Sequence, residues 1–246
     1  MTKKQHAVHK MRRRTLDINR AFLKMRPLFV GARRLSLNAE VTSSVVGKSG
    51  EGLIVVMREL RTMTNYLRDM IVEIDAVSAR VATRMATCMS AESMQLYYRH
   101  TLDLMRVDQG KPKLIWPDSF QGARTRPMDL NPSESMVWNG LCKADASIFA
   151  SMATLAGISQ ELLVLLNRSG WVAVRQSEYL AVLAAVEASR WTERRESVEA
   201  IVDSMREISA ELRIIQKDAG VQVNGLIDEI KRVQGPASTT TKSIAA

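Results

Sequence analysis

Three glycines lie within six residues of this chain, at Gly47, Gly50 and Gly52, around the dipeptide Lys48-Ser49. A glycine followed by lysine and serine ends the P-loop, in which backbone amides and the lysine hold nucleotide phosphates. That motif also needs a glycine at position 42, where this chain has threonine, and a preceding strand. The flanking residues have helical periodicity, so a phosphate site is not supported. We predict instead a hairpin between two helices, because glycine adopts the left-handed conformation that ends a helix.

Other residues with chemical potential are few and scattered. The chain has three histidines, His6, His9 and His100, and two cysteines, Cys88 and Cys142, whose 54-residue separation matches no zinc motif. His100 follows two tyrosines, and a ligand or haem contact is an alternative for it, but we favour its interpretation as a polar residue at a helix end. No nucleophile elbow, paired carboxylates or nucleotide fingerprint occurs. We expect no enzyme activity, no metal and no cofactor.

Positive charge is concentrated at the N-terminus. Residues 1–34 contain eleven Lys and Arg against Asp17 alone, a balance of +10, while the whole chain carries +9. The candidate basic patch consists of Lys10, Arg12, Arg13 and Arg14. Such a segment suits nucleic acid, an anionic membrane surface or an acidic protein. It lacks interleaved aromatic residues, so specific nucleic-acid recognition is not supported, and a solvated end of a helical bundle remains an alternative. If this segment lies on an anionic membrane surface, the nearby apolar residues that would contact the membrane are Phe22, Leu28 and Phe29.

Composition indicates a helical protein. Only 5% of the residues are aromatic, there are 14 methionines and 6 prolines, and the 246 residues are 46% hydrophobic. Strands favour aromatic and β-branched residues, so a large sheet is not expected. We find no signal-peptide pattern and no apolar run near 18 residues, and therefore expect a cytoplasmic protein.

Two long coiled-coil seams dominate the periodicity. Residues 53–91 place apolar side chains at alternating spacings of three and four, with Arg84 as an interruption. The pattern returns between Trp191 and Val233, with Gln222 as a polar member of the seam. An earlier helix over 10–47 has a row at sevens, Leu16, Leu23, Val30 and Leu37, flanked by Ile18, Met25, Leu28 and Leu35.

Interruptions divide these helices. Pro27 should kink the first helix, since its ring removes a backbone hydrogen bond. Prolines and glycines between Gln109 and Pro127 predict a loop that Trp116 and Phe120 tuck against the bundle. Ser133 is a candidate N-cap for a helix over 135–167, and Asn167–Gly170 is predicted to form a short turn.

The predicted fold is all-α, an elongated antiparallel coiled-coil four-helix bundle with a glycine hairpin at its tip. Its segments are a helical hairpin with a basic N-terminal segment (1–106), a proline-rich crossover loop (107–133), a second helical hairpin (134–235) and a disordered tail (236–246). One chain would then supply all four helices, although a homodimer remains possible.

The glycine segment resembles the cytoplasmic signalling hairpin of bacterial methyl-accepting chemotaxis receptors. The match runs without a gap over nearly thirty residues. The residues in register, identical or conservatively changed, are Leu35, Leu37, Asn38, Ala39, Val41, Gly47, Gly50, Gly52, Leu53, Val55, Val56, Glu59, Leu60, Arg61 and Met63. In that family the hairpin packs receptors together and binds a histidine kinase and its coupling adaptor. The resemblance thus implies protein partners of this chemosensory kind.

Departures from the family pattern fall on the positions that make those contacts. The family's glutamate and arginine are replaced by Thr42 and Val45, and charges are reversed at Lys48 and Glu51. The candidate partner-contact residues are Asn38, Val41, Thr42, Val45, Gly47, Lys48, Gly50, Glu51, Gly52, Leu53, Glu59 and Arg61. We therefore expect a non-enzymatic chemoreceptor-like signalling or adaptor protein that has diverged from kinase-array function. The alternatives are a structural coiled-coil scaffold unrelated to chemotaxis and a basic-ended binder of nucleic acid or anionic lipid.

Overall fold

The computed structural model describes residues 3–46, 51–116, 126–189 and 195–234. Helices account for 93% of these residues, and the described part of the chain contains no strand. The prediction of an all-α protein is therefore confirmed at the level of fold class.

Six α-helices and one π-helical turn follow one another along the described chain. They are α1 (Lys3–Leu23), α2 (Met25–Val46), α3 (Glu51–Asp108), α4 (Pro132–Leu165), the π-helical turn (Leu166–Gly170), α5 (Trp171–Ser189) and α6 (Arg195–Gln234).

The helices contribute to two compact units. Unit 1 comprises Met1–Leu16, Arg80–Gln160 and Asn224–Ala246, and unit 2 comprises Asp17–Ala79 and Glu161–Val223. Each unit has its own apolar interior, which includes Met11, Leu102 and Leu141 in unit 1 and Leu60 and Leu67 in unit 2, all fully buried. The proposed division of the sequence at residues 106, 133 and 235 stays a prediction.

Pro27 interrupts the first helix as predicted. The break lies at Lys24, whose amide bonds to Ala21 at 3.2 Å instead of continuing the α-helical ladder. A proline has no amide hydrogen and crowds the carbonyl four residues earlier, which is that of Leu23. The chain therefore ends α1 at Leu23 and begins α2 at Met25.

The face that this first helical segment buries differs from the prediction. Leu16, Leu23, Val30 and Leu37 are 47%, 56%, 46% and 54% exposed. The interior is instead filled by Met11, Ile18, Met25, Ala32 and Leu35. The sequence contains two apolar rows with seven-residue spacing on this segment, and periodicity alone does not show which of them is buried.

The seam of α3 is confirmed, with a change at its interruption. The helix buries Leu60, Leu67 and Ile74, and at the interruption it exposes Arg84 and buries Met85. Val77, Val81 and Met85 are thus separated by two successive steps of four, and a step of three then leads to Cys88. Because Val81 and Cys88 are seven residues apart and both are buried, the heptad row of Leu60, Leu67 and Ile74 continues past the interruption.

The seam of α6 contains the same kind of step. Ile215, Ala219 and Val223 are buried at successive steps of four, while Gln222 is half-buried beside them. The prediction of Gln222 as the seam residue is therefore wrong, because Val223 occupies that position. Trp191 lies outside the described residues.

The predicted turn at Asn167–Gly170 is also wrong. The chain stays helical from Pro132 to Ser189, and Leu166–Gly170 forms a π-helical turn within it. Gln216 donates its Nε2 to the Leu166 carbonyl at 3.2 Å, and a Cβ on Gly170 would press on the Gln216 side chain. This contact partners a carbonyl that the wider turn displaces from the α-helical ladder.

The start of α4 is a capping box centred on a different residue from the predicted Ser133. Asn131 accepts the Glu134 amide through Oδ1 at 2.8 Å, and Glu134 Oε2 accepts the Asn131 amide at 2.8 Å. Pro132 occupies the first helical position, where its missing amide hydrogen costs nothing. Asn131 is therefore the N-cap.

The sequence-based statement that no apolar stretch reaches membrane-spanning length needs correction. Helix Pro132–Ser189 contains an 18-residue window with mean hydropathy 1.6 and no more than two charged residues, and 39% of that window is buried. The helix is thus long and apolar enough to cross a membrane, and the same properties suit a core helix. Cytoplasmic localisation stays a prediction.

Candidate functional site

The candidate partner-contact residues lie on the end of α2 and the start of α3, within unit 2. Asn38, Val41, Glu59 and Arg61 are exposed, and Gly52 is half-buried. Thr42 and Val45 fall in α2 and Glu51 and Leu53 in α3, but their side chains are outside the described structure, as are residues Gly47, Lys48 and Gly50 entirely. Helix α2 is described to Val46 and α3 from Glu51, so Gly52 lies inside α3, while the predicted turn at Gly47–Gly50 lies outside the described residues.

An exposed ion pair joins α2 and α3. Arg61 Nη1 lies 3.9 Å from Glu40 Oε1, and both side chains are more than half exposed. Such a pair contributes little to stability, since solvent screens it and two flexible side chains are ordered. The ion pair nevertheless shows that residues 40 and 61 are neighbours on α2 and α3.

Exposed aliphatic side chains flank the glycine segment on both helices. Val41 on α2 is 65% exposed, and Ile54 and Val55 on α3 are 43% and 52% exposed. Next to them on the chain, Val56 and Leu60 are buried in the interior of unit 2. The end of α2 and the start of α3 therefore present apolar surface outside the interior of unit 2, together with the charges of Glu59 and Arg61. Exposed apolar side chains with charges beside them are typical of protein-contact surfaces.

Gly52 has a packing role that sequence analysis did not assign. The carboxylate of Glu187, near the end of α5, lies so close to Gly52 that an added Cβ would overlap it. The third glycine of the segment thus makes room for a side chain from another helix of unit 2. Glu187 has no local sequence signal that would have predicted this contact.

The predicted basic patch divides into two parts in unit 1. Lys10 Nζ lies 3.9 Å from Glu229 Oε1, and the guanidinium of Arg14 packs against Gly225 of α6. Arg12 and Arg13 are exposed to solvent. The structure therefore uses Lys10 and Arg14 for contacts with α6 and leaves two arginines for external partners.

A buried polar layer in unit 1 was not predicted. Gln95 Nε2 donates to Asp145 Oδ1, and both side chains are buried. Nearby on α3, burial raises the pKa of Glu92 to about 6. Burial, and secondarily the Glu92 charge, raises the pKa of the Cys88 thiol to about 11, so this thiol stays protonated and unreactive at neutral pH. Polar layers in helical cores commonly specify register.

The loop between α3 and α4 is held by side chains at its two ends. Arg106, buried near the end of α3, donates from its two terminal nitrogens to Asp129 at 2.9 and 3.2 Å, and Nε donates to the Pro112 carbonyl at 3.0 Å. These hydrogen bonds raise the pKa of Arg106 and lower that of Asp129. We interpret Arg106 as a structural residue, because each of these three hydrogen bonds is donated to a residue of the loop.

Trp116 anchors the first part of the same loop. Its ring stacks on Trp138 with centroids 6.3 Å apart, and Nε1 donates to both carboxylate oxygens of Asp103 at 3.0 and 3.1 Å. The guanidinium of Arg99 lies 5.2 Å from the Trp116 ring centroid. The prediction that Trp116 packs against the helices is confirmed, while Phe120 lies outside the described residues.

The described residues contain no cluster of three or more His, Cys, Asp or Glu that could hold a metal ion. Both cysteines are free, Cys88 buried and Cys142 half-buried, and His100 is exposed. Comparison with known proteins finds no family model that matches this chain, no similar curated protein and no similar solved structure.

Proposed function

We propose that this chain is a non-enzymatic, chemoreceptor-like signalling or adaptor protein that acts through protein contacts at the hairpin formed by α2 and α3. The observation that carries the proposal is the exposed aliphatic surface of Val41, Ile54 and Val55 on both sides of the glycine segment. The resemblance of residues 35–63 to the chemoreceptor signalling hairpin supports the class of partner, a histidine kinase or its coupling adaptor.

We also propose that α2 and α3 form an antiparallel hairpin whose tip is the glycine segment. Arg26 Nη2 bonds to Asp75 Oδ2 at 2.9 Å, and Glu40 lies beside Arg61. Both pairs are centred on the bond between residues 50 and 51, as the two arms of a reversal at the glycines require.

Contacts elsewhere support an antiparallel four-helix coiled-coil bundle. In unit 2, Ser209 donates to Ser177 at 2.6 Å and Arg213 to Glu178, so these pairs are centred near the short connection between α5 and α6. In unit 1, the contacts of Gln95 with Asp145 and of Tyr98 with Gly140 are centred on the loop between α3 and α4. Each unit would then contain four helical segments of one chain.

A binding assay with purified chemosensory kinase and adaptor tests this function. The native chain is expected to bind at least one of them, and V41E/V55E should weaken binding by about tenfold or more, because each replacement puts a charge into an apolar contact. The matched control, V182E/V186E, changes two exposed valines of α5. Absence of binding to kinase, adaptor or receptor would contradict the proposal, as would equal losses in both variants.

The replaced contact residues Thr42, Val45, Lys48 and Glu51 favour a second candidate, a structural coiled-coil scaffold that has left chemosensory signalling. The variant T42E/V45R restores the glutamate and arginine of the family pattern. If the chain is a diverged signalling protein, this variant should increase kinase coupling in a reconstituted autophosphorylation assay. A scaffold that has left chemosensory signalling gains no kinase coupling from the two changes.

A further inference from the structure

A row of exposed aliphatic residues follows the outer side of the first helical segment of unit 2. Leu23, at the end of α1, and Val30 and Leu37, on α2, are spaced by seven residues and are all about half exposed. Met25, Ala32 and Leu35 on the same segment are buried in the unit. The row is therefore the side of this segment that faces away from its core.

Basic residues border this row. Arg33 and Arg34 are exposed and lie three or four positions from both Val30 and Leu37, which makes them surface neighbours of both on the helix. Arg20, Lys24 and Arg26 are exposed around Leu23. We call this surface the cationic row; it consists of Arg20, Leu23, Lys24, Arg26, Val30, Arg33, Arg34 and Leu37.

Acidic residues neutralise only part of the cationic row. Between Asp17 and Val46 the sequence contains two acidic residues, Asp17 and Glu40. Asp17 lies 3.5 Å from Arg20, and Asp75 of α3 pairs with Arg26. Glu40 pairs with Arg61. Glu211 and Asp218 of α6 line one pocket with Lys24, so the excess of positive charge beside the exposed aliphatic side chains is centred on Arg33 and Arg34.

We infer that the cationic row binds an anionic phospholipid membrane surface. A helix that lies in the membrane interface buries aliphatic side chains at the boundary of headgroups and acyl chains, while Lys and Arg bind the phosphates. Leu23, Val30 and Leu37 supply the first element, and Arg33 and Arg34 supply the second with guanidinium groups that suit phosphate oxygens.

Two other occupants fit the same surface less well. A second copy docked on this row would bring like charges together, which opposes association. A nucleic acid would satisfy the arginines but leave the aliphatic row in water. It would also lack stacking partners, since Phe22 is buried and Phe29 is half-buried. The combination of aliphatic side chains and cations favours the lipid surface.

The test is co-sedimentation of the full chain with vesicles of phosphatidylcholine alone or of phosphatidylcholine mixed with phosphatidylglycerol. We expect binding to the mixed vesicles only, weakened by salt. R33E/R34E should weaken it by about twentyfold or more, because each basic residue near an anionic surface contributes about a fivefold change. L23Q/V30Q/L37Q should weaken it by about tenfold or more, since its apolar side chains no longer enter the interface.

Matched controls separate a local effect from a general one. R58E/K217E makes the same change in net charge at two other exposed positions of unit 2, and V182Q/V186Q removes exposed valines from α5. Both controls should bind mixed vesicles like the native chain. Circular dichroism and thermal unfolding verify that every variant is folded, which exposed positions should allow.

Several results would overturn the inference. Equal losses in R33E/R34E and R58E/K217E would show attraction by net charge alone. Full binding by L23Q/V30Q/L37Q would show a purely electrostatic contact, which a parallel measurement with duplex DNA would assign to nucleic acid. Failure to bind mixed vesicles, with concentration-dependent dimerisation that L23Q/V30Q/L37Q abolishes, would identify a second copy as the occupant.

Discussion

At the scale of single residues, the N-cap of α4 shows how a local signal can be assigned to the wrong neighbour. Asparagine, serine and glutamate are all common at helix N-termini, and the chain has them at Asn131, Ser133 and Glu134. The structure pairs Asn131 with Glu134 through two reciprocal hydrogen bonds and leaves Ser133 exposed. The three-residue separation of Asn131 and Glu134 is the spacing that lets both bonds form.

We expect N131A to lower the free energy of unfolding by about 1 kcal/mol, because the Glu134 amide loses its acceptor. S133A, two residues away, is the control and should change stability little. Urea unfolding of both variants, followed by circular dichroism, measures the difference. A larger loss of unfolding free energy in S133A than in N131A would show that Ser133 is the N-cap.

Glu92 gives unit 1 a pH dependence. Burial raises the pKa of this carboxyl from 4.5 to about 6 in the folded protein. Below about pH 4.5 both folded and unfolded chains carry the proton, so the group has no effect on stability. As the pH rises to 6 and above, the folded chain must hold a half-buried carboxylate, and stability is lost by at most about 2 kcal/mol, less where solvent screens the charge.

The variant E92Q should therefore gain stability relative to the native chain as the pH rises from 4.5 to 7. Unfolding free energies measured across this range give the difference. E73Q, at an exposed position of the same helix, is the control. A constant difference between E92Q and the native chain would contradict the assignment of this pH dependence to Glu92.

At the scale of helices, the two long seams are regular but do not strictly alternate steps of three and four. In α3 the step from Val81 to Met85 leaves Arg84 in solvent, and in α6 the step from Ala219 to Val223 moves the seam past Gln222. A strict alternation would bring a charged or polar side chain to the core at these points. In both helices the step of four is followed by a step of three, to Cys88 and to Leu226 respectively, so the seven-residue rows continue and the interior stays apolar.

M85A should lower the free energy of unfolding by about 2–5 kcal/mol, because it removes a buried side chain from a packed interior. R84A changes the exposed neighbour and should alter stability by less than about 0.5 kcal/mol. Chemical denaturation of the pair decides between the two registers. The reverse order of effects would place Arg84, rather than Met85, in the seam.

The helix from α4 through α5 shows a further limit of local pattern. Asn167, Ser169 and Gly170 form a cluster that is typical of turns. The chain nevertheless remains helical, because the π-helical turn accommodates these residues and Gln216 partners the Leu166 carbonyl. The contact that permits this geometry comes from a residue 50 positions away, which no local signal includes.

At the scale of the whole molecule, both compact units are assembled from distant parts of one chain. Unit 1 joins three separate stretches and unit 2 joins two. Seam residues of α3 and α6 such as Leu60 and Leu212 are almost fully buried within this single chain. A second chain is not needed to cover these seams.

We therefore expect the isolated chain to be a monomer. Sedimentation equilibrium in the absence of lipid and of partner proteins should give a mass of about 27.5 kDa. The result should be the same across a wide range of protein concentration, since every seam described above is closed within one chain. Twice this mass at low concentration would show that a homodimer completes the fold.

The sequence by itself determined the all-α class, the interruption at Pro27 and the loop before α4. These features rest on local chemistry: proline lacks an amide hydrogen, glycine ends helices, and apolar periodicity marks a buried stripe. The sequence also proposed Asn38, Val41, Glu59 and Arg61 as contact positions, and the structure adds that they are exposed.

Only the tertiary structure decided which of two adjacent stripes is buried. Leu23 and Val30 belong to one apolar row of the segment, and Met25 and Ala32 belong to the other. Met25 and Ala32 are buried in the core, while Leu23 and Val30 are exposed to water. Helical periodicity describes the rows of one helix, whereas burial depends on where the partner helices lie. That same choice leaves the cationic row exposed, which is why its proposed membrane contact follows from the fold and not from the sequence pattern.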